Sequence, residues 1–455
     1  MASKAAVGVA TILFCISVFE FEANAQFPGL GPPQVPPGQG PPQVPPGQGP
    51  PLVPPGQLPG PGAPQVPGQA PCLKDITKYG AAPGVDIAQA LTAIWKEAIA
   101  SPVPVQILIP PGNWCLSQVK LCGPSLAPID LVVQGTVQAS PDPQALPDKE
   151  CEWITINYIS NLTIYGGGVF DGMGEMAWKQ NDCNKNQKCA KLPMNLSFNF
   201  INHTVIRDVT TKDSKNFHVN CISSHNVTFQ RFMVSAPGES PNTDGIHIGR
   251  SSQITVIDSI IQTGDDCVSI GDETCEIRVQ NVTCGPGHGV SIGSMGKFAN
   301  EKDVNGIYVQ NVTFKGTQNG VRIKTWPNGP ATLCINNIHF EDIIVDNVSN
   351  PIIIDQEYCP WNQCDRTQAS SIKISGVSVK NVRGTANSCE AVVLSCSSAK
   401  PCEAIEIGDV DITYVGDPVY GPIKTKCSNV QPTFVGRQNP PVCAPAPPGL
   451  PAPAA

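Results

Sequence analysis

Four short stretches in the second half of the chain gather side chains able to move protons and hold anions. They are Asn242-Thr243-Asp244, Gly264-Asp265-Asp266, Gly287-His288-Gly289 and Arg322-Ile323-Lys324. Adjacent Asp265 and Asp266 at a strand end would repel each other, which raises at least one pKa. Asp244 would sit one structural repeat away. Three carboxylates within mutual reach let one hold a proton while another stays ionised. Hydrolysis of a glycosidic bond needs that pairing, an acid for the leaving oxygen and a base for the water. His288 would tune the acid through a hydrogen bond. Arg322 and Lys324 share one face of a strand, because alternate residues point the same way. Arginine grips a carboxylate through two parallel hydrogen bonds, and lysine adds a point charge. A basic pair beside an acidic cluster, in a chain of net charge −8, predicts an anionic substrate.

The same residue types have plainer uses. A lone Gly-Asp is more often a turn or a calcium ligand; four motifs in register are what single these out. His247 reads as structural. Gly289-Val290-Ser291-Ile292-Gly293 matches a nucleophile elbow but lacks its strand–turn–helix setting. Gly172-Met173-Gly174-Glu175-Met176-Ala177 imitates a dinucleotide loop, without a helix or a βαβ unit. Neither is counted. No metal site is expected, since the six histidines do not fall beside cysteine pairs at ligand spacing.

Residues so far apart meet only if the chain between them is regular. From about Asn161 onward a strand pattern recurs, starting at Leu162, Val205, Val227, Ile254, Ile277, Ile307, Ile338, Ile372 and Ile405. After one double-length gap the interval is roughly 22 to 34 residues, the range of solenoid repeats. Second short strands follow, as at Val282 and Val312. Short strands with no helix between them predict an all-β fold, a single right-handed parallel β-helix. A sandwich would need hairpin turns, and the interval is too long for them. Asp75 to Gly80 reads as a short strand and turn, and Val105 to Ile109 as a buried strand. Ala88 to Ala100 has helical spacing and would cap the N-terminal end of the stack, hiding an open strand edge.

The remainder of the chain reads as additions to this body. Residues 1–25 have the form of a secretory signal: Lys4, an apolar run from Ala5 to Phe19, and Ala23-Asn24-Ala25 before the cut. Residues 26–71 repeat Gly-Pro-Pro-Gln-Val-Pro-Pro-Gly-Gln with a period of nine, which predicts an extended, disordered arm. Residues 72–443 form the folded domain, and 444–455 a Pro-rich tail. Cysteine totals 19, and Cys15 leaves with the signal. The even remainder on a secretory route predicts disulfides, with Cys267 and Cys284 as a local staple beside the acidic pair. Seven sequons occur, at Asn161, Asn195, Asn202, Asn226, Asn281, Asn311 and Asn347. Several share one phase of the repeat, so glycan sites and an asparagine ladder at the coil corners are both open. Nothing in the charge suggests nucleic acid or an anionic membrane as partner.

The four motifs together resemble the signature of the polygalacturonase family of glycoside hydrolases. Ser240 to His247 and Cys284 to Ser294 extend the likeness, which covers about Asp75 to Cys427. The surrounding wording is most similar to plant, pollen-type exo-acting members. The resemblance implies a right-handed parallel β-helix and cleavage of α-1,4-galacturonosyl bonds with inversion, without a metal or organic cofactor. It implies that Asp265 is the general acid and that Asp244 and Asp266 activate the water. His288 would support the acid. Arg322 and Lys324 would hold the galacturonate carboxylate, with Asn242 and Tyr358 also at the substrate; Tyr358 lies in Asp355-Gln356-Glu357-Tyr358. The expected protein is a secreted, monomeric enzyme of the plant cell wall acting on polygalacturonate, the backbone of pectin. Endo action, a calcium-dependent lyase, a rhamnogalacturonan or xylogalacturonan hydrolase, and a non-catalytic pectin-binding rod are the rivals.

Overall fold

A computed structural model describes residues 71–443, except 146–151, 184, 187–188 and 363. The expected signal segment, nearly all of the Pro-rich arm and the Pro-rich tail lie outside the described residues. The strands form one eleven-stranded and one nineteen-stranded sheet, with parallel ladders in both. The chain therefore winds as a right-handed parallel β-helix, each turn adding one strand to the smaller sheet and one or two to the larger.

A parallel ladder brings the same position of successive turns to roughly 4.8 Å, so each inward position becomes a column. Ile246, Val268, Val290, Val321 and Ile352 form one, and Ile248, Ile270, Ile292, Ile323 and Ile354 another; all are at most 3 % exposed. Valine and isoleucine suit it because their branched stems fit a pleated, doubly covered surface. Burying each contributes about 1.5–3 kcal/mol before entropy is counted.

The corners obey the same rule. Asp208, Arg231, Asp258, Asn281, Asn311, Asp342, Asn381 and Asp409 follow residues in register, and each has φ between 45° and 56°. Asparagine and aspartate tolerate this left-handed geometry better than other non-glycine residues. Arg231 is the exception, and two bonds of 2.6 and 2.8 Å to Asp208 fix it. Asn281 donates to Asp258 at 2.6 Å, Asn311 to Asn281 at 3.3 Å and Asn381 to Asp342 at 2.6 Å. The ladder reading of the asparagines thus holds for Asn281 and Asn311.

Helix α1 (Ala88–Ile99) starts where Asp86 accepts the Ala88 N–H at 3.0 Å, and buries Leu91, Ile94 and Trp95. The Trp95 indole donates to the carbonyl of Cys122, on the terminal strand of the eleven-stranded sheet. It covers that open edge, as its position in the sequence implied. Among the described residues no helix is long and apolar enough to cross a membrane.

Several expectations need correction. Asp75 to Gly80 is the end of strand Cys72–Asp75 followed by a 3-10 turn over Ile76–Tyr79. Val205 is not in phase with Val227; Thr204 is, buried with its hydroxyl on the Asn202 carbonyl. A polar residue in an inward column disguised the register, and one residue of slip exchanges the faces. Val377, not Ile372, stacks on Ile338. In the later turns the paired short strands fuse into single strands such as Val304–Lys315 and Cys334–Val348. A helix α2 (Glu175–Gln180) does follow Gly174, but it has six residues and no βαβ unit. Cys267 and Cys284 are bonded, as are Cys183–Cys189, Cys359–Cys364, Cys396–Cys402 and Cys427–Cys443. Cys221 does not follow the expected pairing; it is a buried thiol within an apolar column, which pushes its pKa up to about 12.

An N-linked glycan needs the side-chain amide nitrogen. That of Asn195 is buried and donates to Thr211 and to the Lys212 carbonyl, at 3.0 and 3.1 Å. Asn347 is exposed. In protein from a glycosylating host, glycopeptide mass spectrometry should find Asn195 and Asn281 bare and Asn347 able to carry sugar. A glycan on Asn195 of folded protein would contradict this.

Candidate active site

The site is built by one register. Ile246, Val268, Val290 and Val321 are ladder partners, so the residues two places earlier — Asp244, Asp266, His288 and Asn319 — enter successive turns at the same height. Asp265 is offset by one residue and so emerges beside this column. The backbones close up through Gly245 N–H to the Asp266 carbonyl and Cys267 N–H to the Gly289 carbonyl, both 2.8 Å. Gly264 and Gly289 are required by that approach: a Cβ on Gly264 would strike the Ser240 carbonyl, and one on Gly289 the carbonyls of Asn319 and Gly320. Thr243, fully buried, accepts the Gly264 N–H at 3.0 Å and so locks one turn to the next. The Cys267–Cys284 disulfide pins the same corner.

The three carboxylates have different surroundings. Asp266 is 1 % exposed, takes the Ser291 hydroxyl at 2.7 Å and pairs with the Lys324 ammonium at 2.6 Å. Asp265 is half-buried; its Oδ1 meets His288 Nδ1 at 3.0 Å and accepts the Asp266 N–H at 2.9 Å. Asp244 is buried. Burial, then the charges of Asp265 and Asp266, hold its pKa well above the usual carboxylate range. Burial also pushes Asp265 upward, but the hydrogen bond and charge of His288, with Lys324, outweigh it and the net shift is downward. Lys324 is pulled down by burial and up by Asp266, and the second effect wins, so it stays an ammonium ion.

Arg322 lies over the Tyr358 ring at 5.0 Å, with Lys324 on the same ring at 5.4 Å. Trp326 meets Tyr358 edge to face. Behind Arg322 the ladder runs through Ser291 and Ser269 to His247. His247 sits against Phe217 and bonds Ser269 at 2.9 Å; burial and the charges of Lys324 and Arg250 lower its pKa to about 4. It is neutral scaffold, as its sequence setting suggested.

A cleft of about 600 Å³ opens over these groups, lined by Asp265, His288, Arg322, Lys324, Tyr358 and Asn242. Asp244 and Asp266 are buried and are not part of its lining. All eight residues expected from the sequence therefore meet in one place. Sequence reasoning missed four others. Ser291, set aside inside a false elbow motif, lies on the strand Val290–Met295 and holds Asp266. Asn216 accepts the Asn242 amide at 2.5 Å and donates to the Leu192 carbonyl at 3.1 Å. Gln318 and Lys191 also line the cleft. Only Gln318, four residues before Arg322, had a positional signal.

Atoms of Asp265, Asp266 and His288 lie within 4.8 Å of one another, a spacing a cation could span. Lys324 already supplies the positive charge on Asp266, and it opposes a second cation there. Replacing Lys324 with methionine should cost about 3–5 kcal/mol, because a buried carboxylate loses its partner. Asp266→Asn combined with Lys324→Met should recover part of that loss in urea denaturation. A double variant less stable than Lys324→Met alone would show that the pair is not what holds the site.

Residues 100–439 match the family described as glycosyl hydrolases family 28. A polygalacturonase of Nicotiana tabacum is 52 % identical over 369 residues, covering 81 % of this chain and 91 % of that protein. An exopolygalacturonase of Oenothera organensis is 50 % identical, over 79 % of this chain and 98 % of its own length. Among solved structures, a hyperthermoactive exopolygalacturonase from Thermotoga maritima superposes with a TM-score of 0.67 at 20 % identity, covering 82 % of this chain and 92 % of that one. That likeness speaks for the fold. With the family match spanning most of the chain and the β-helix already in view, the chain belongs to glycosyl hydrolases family 28.

Proposed function

We propose that the protein is a secreted polygalacturonase that releases galacturonate from the end of de-esterified polygalacturonate by single displacement. The observation that carries this is the 3.0 Å contact of cleft-lining Asp265 with His288, beside a buried Asp244 of raised proton affinity. Asp265, when protonated, delivers its proton to the glycosidic oxygen, and the contact with His288 Nδ1 positions it. Asp244 and Asp266 orient a water and take its proton as it attacks the anomeric carbon from the opposite side. Lys324 and Ser291 hold the Asp266 carboxyl in place. No enzyme-bound sugar forms, so the configuration inverts. Arg322, steadied on Tyr358, holds a uronate carboxylate with its planar guanidinium.

Exo action is supported by the described residues between Asn181 and Leu192. They carry the Cys183–Cys189 disulfide, and Asn181, Cys183 and Cys189 to Leu192 wall the cleft on the N-terminal side of Asp265. Asn216 and Asn242 tie them to the aspartate motif. Asn216 lies two turns before Asp265, about 10 Å at the β-ladder spacing, which suits a chain end better than a running polymer. Relatives named exopolygalacturonase agree. Disulfides and plant relatives favour an extracellular setting, in keeping with the signal pattern.

The test is a product time course on de-esterified polygalacturonate. Monomer from the first minutes, with slow loss of viscosity, is expected; mixed oligomers with fast loss would replace exo by endo action. The first product should be the β anomer by NMR. Asp265→Asn should lose about 10²–10⁴-fold in rate. The pH profile should be bell-shaped. Activity rises as Asp244, with its raised pKa, ionises into a base, and falls as Asp265 loses the proton it must deliver. A rate still climbing through pH 8 would refute this assignment of acid and base.

A further inference from the structure

Among the described residues, three cations line the cleft: Lys191, Arg322 and Lys324. Lys324 is spent on Asp266. Arg322 faces the cleft on the C-terminal side of Asp265. Lys191 is exposed on the opposite side and has no carboxylate partner among the described residues. Nearby lysines are not so placed: Lys179 pairs with Glu175 at 2.6 Å, and Lys212 with Asp171 and Asp213 at 3.3 and 2.8 Å. The backbone beside Lys191 is held in position. Leu192 is buried, and its carbonyl takes the Asn216 amide, which bonds Asn242 in turn. An unspent ammonium group is thus presented to the cleft by a segment anchored on the catalytic motif.

The substrate's chemistry supplies the second half of the reasoning. Every galacturonate carries one carboxylate, so a bond between two residues has one negative charge on each side. Arg322 matches one of them. The residue seated between Asp265 and the Asn181–Leu192 wall brings the other to the Lys191 side, where the remaining described lining groups are neutral amides and apolar residues. We propose that Lys191 binds the carboxylate of the residue that is released, making a free acid at that residue a requirement for rapid cleavage. This rests on the exo reading above.

The experiment compares trigalacturonate with two trimers that carry one methyl ester each, on the residue released or on the residue at the far end. Wild type should prefer the free acid over the trimer esterified on the released residue by about tenfold in kcat/KM. Lys191→Gln should lose about that factor on the free acid and keep wild-type activity on that ester. Lys191→Arg should restore the discrimination. A Lys191→Gln variant that still discriminates as wild type does would overturn the proposal and leave the exo reading standing. A wild type that releases no monomer from any trimer would overturn both.

Discussion

Parallel stacking at a fixed rise is the constraint on which the rest of the structure depends. Each turn must place its strand against the one before, in register, or its backbone groups go unpaired. Sequence distance then becomes spatial adjacency at integer multiples of the repeat. The inward isoleucine and valine columns are one result. The left-handed corner column from Asp208 to Asp409 is another. The proposed catalytic cluster is a third, since Asp244, Asp266 and His288 occupy one position of three consecutive turns. Their proximity costs no loop of special shape; it follows from the ladder.

Stacking alone would make like charges neighbours, and that is where Lys324 matters. Two buried carboxylates on adjacent turns repel in a medium of low polarity. The ammonium of Lys324 comes from a later turn and neutralises Asp266, with Ser291 satisfying its other oxygen. Asp244 receives less help and keeps a raised proton affinity. Asp265 is held down by His288 across the next turn. Asp244 and Asp265, chemically identical, thus acquire opposite shifts in proton affinity from position alone, and acid–base hydrolysis needs groups of unlike proton affinity.

Much of this was legible because the motifs sit where the ladder is strict. Twenty-two residues separate Asp244 from Asp266 and Asp266 from His288, one turn of the ladder each time. The slip at Val205 and the misplaced Ile372 came from reading apolar residues as inward markers. Thr204 breaks that pattern by satisfying its hydroxyl locally. The fused strands of the later turns could not be told from pairs of short ones, because a corner residue such as Asn311 looks like a break in sequence while the ladder continues through it. Ser291 was hidden by a motif with the right letters on the wrong element. The Asn181–Leu192 wall had no signal, since it departs from the repeat and is placed by Asn216 and Asn242 and not by strand pairing.

Recognition of a polyanion by a chain of net charge −8 carries its own constraint. Long-range attraction cannot gather the substrate, because the overall field repels it and salt screens charges beyond about 10 Å. Binding energy must come from contacts made inside the cleft, where the local dielectric is low and each cation acts on the carboxylate it touches. Several surface lysines and arginines are paired with nearby acids, as in Lys302–Glu273 or Lys380–Glu406. Arg322, stacked on Tyr358, has no carboxylate partner among the described residues. The proposed exo action fits that constraint: a chain end brings few charges near the acidic surface, whereas a chain lying across it would bring many.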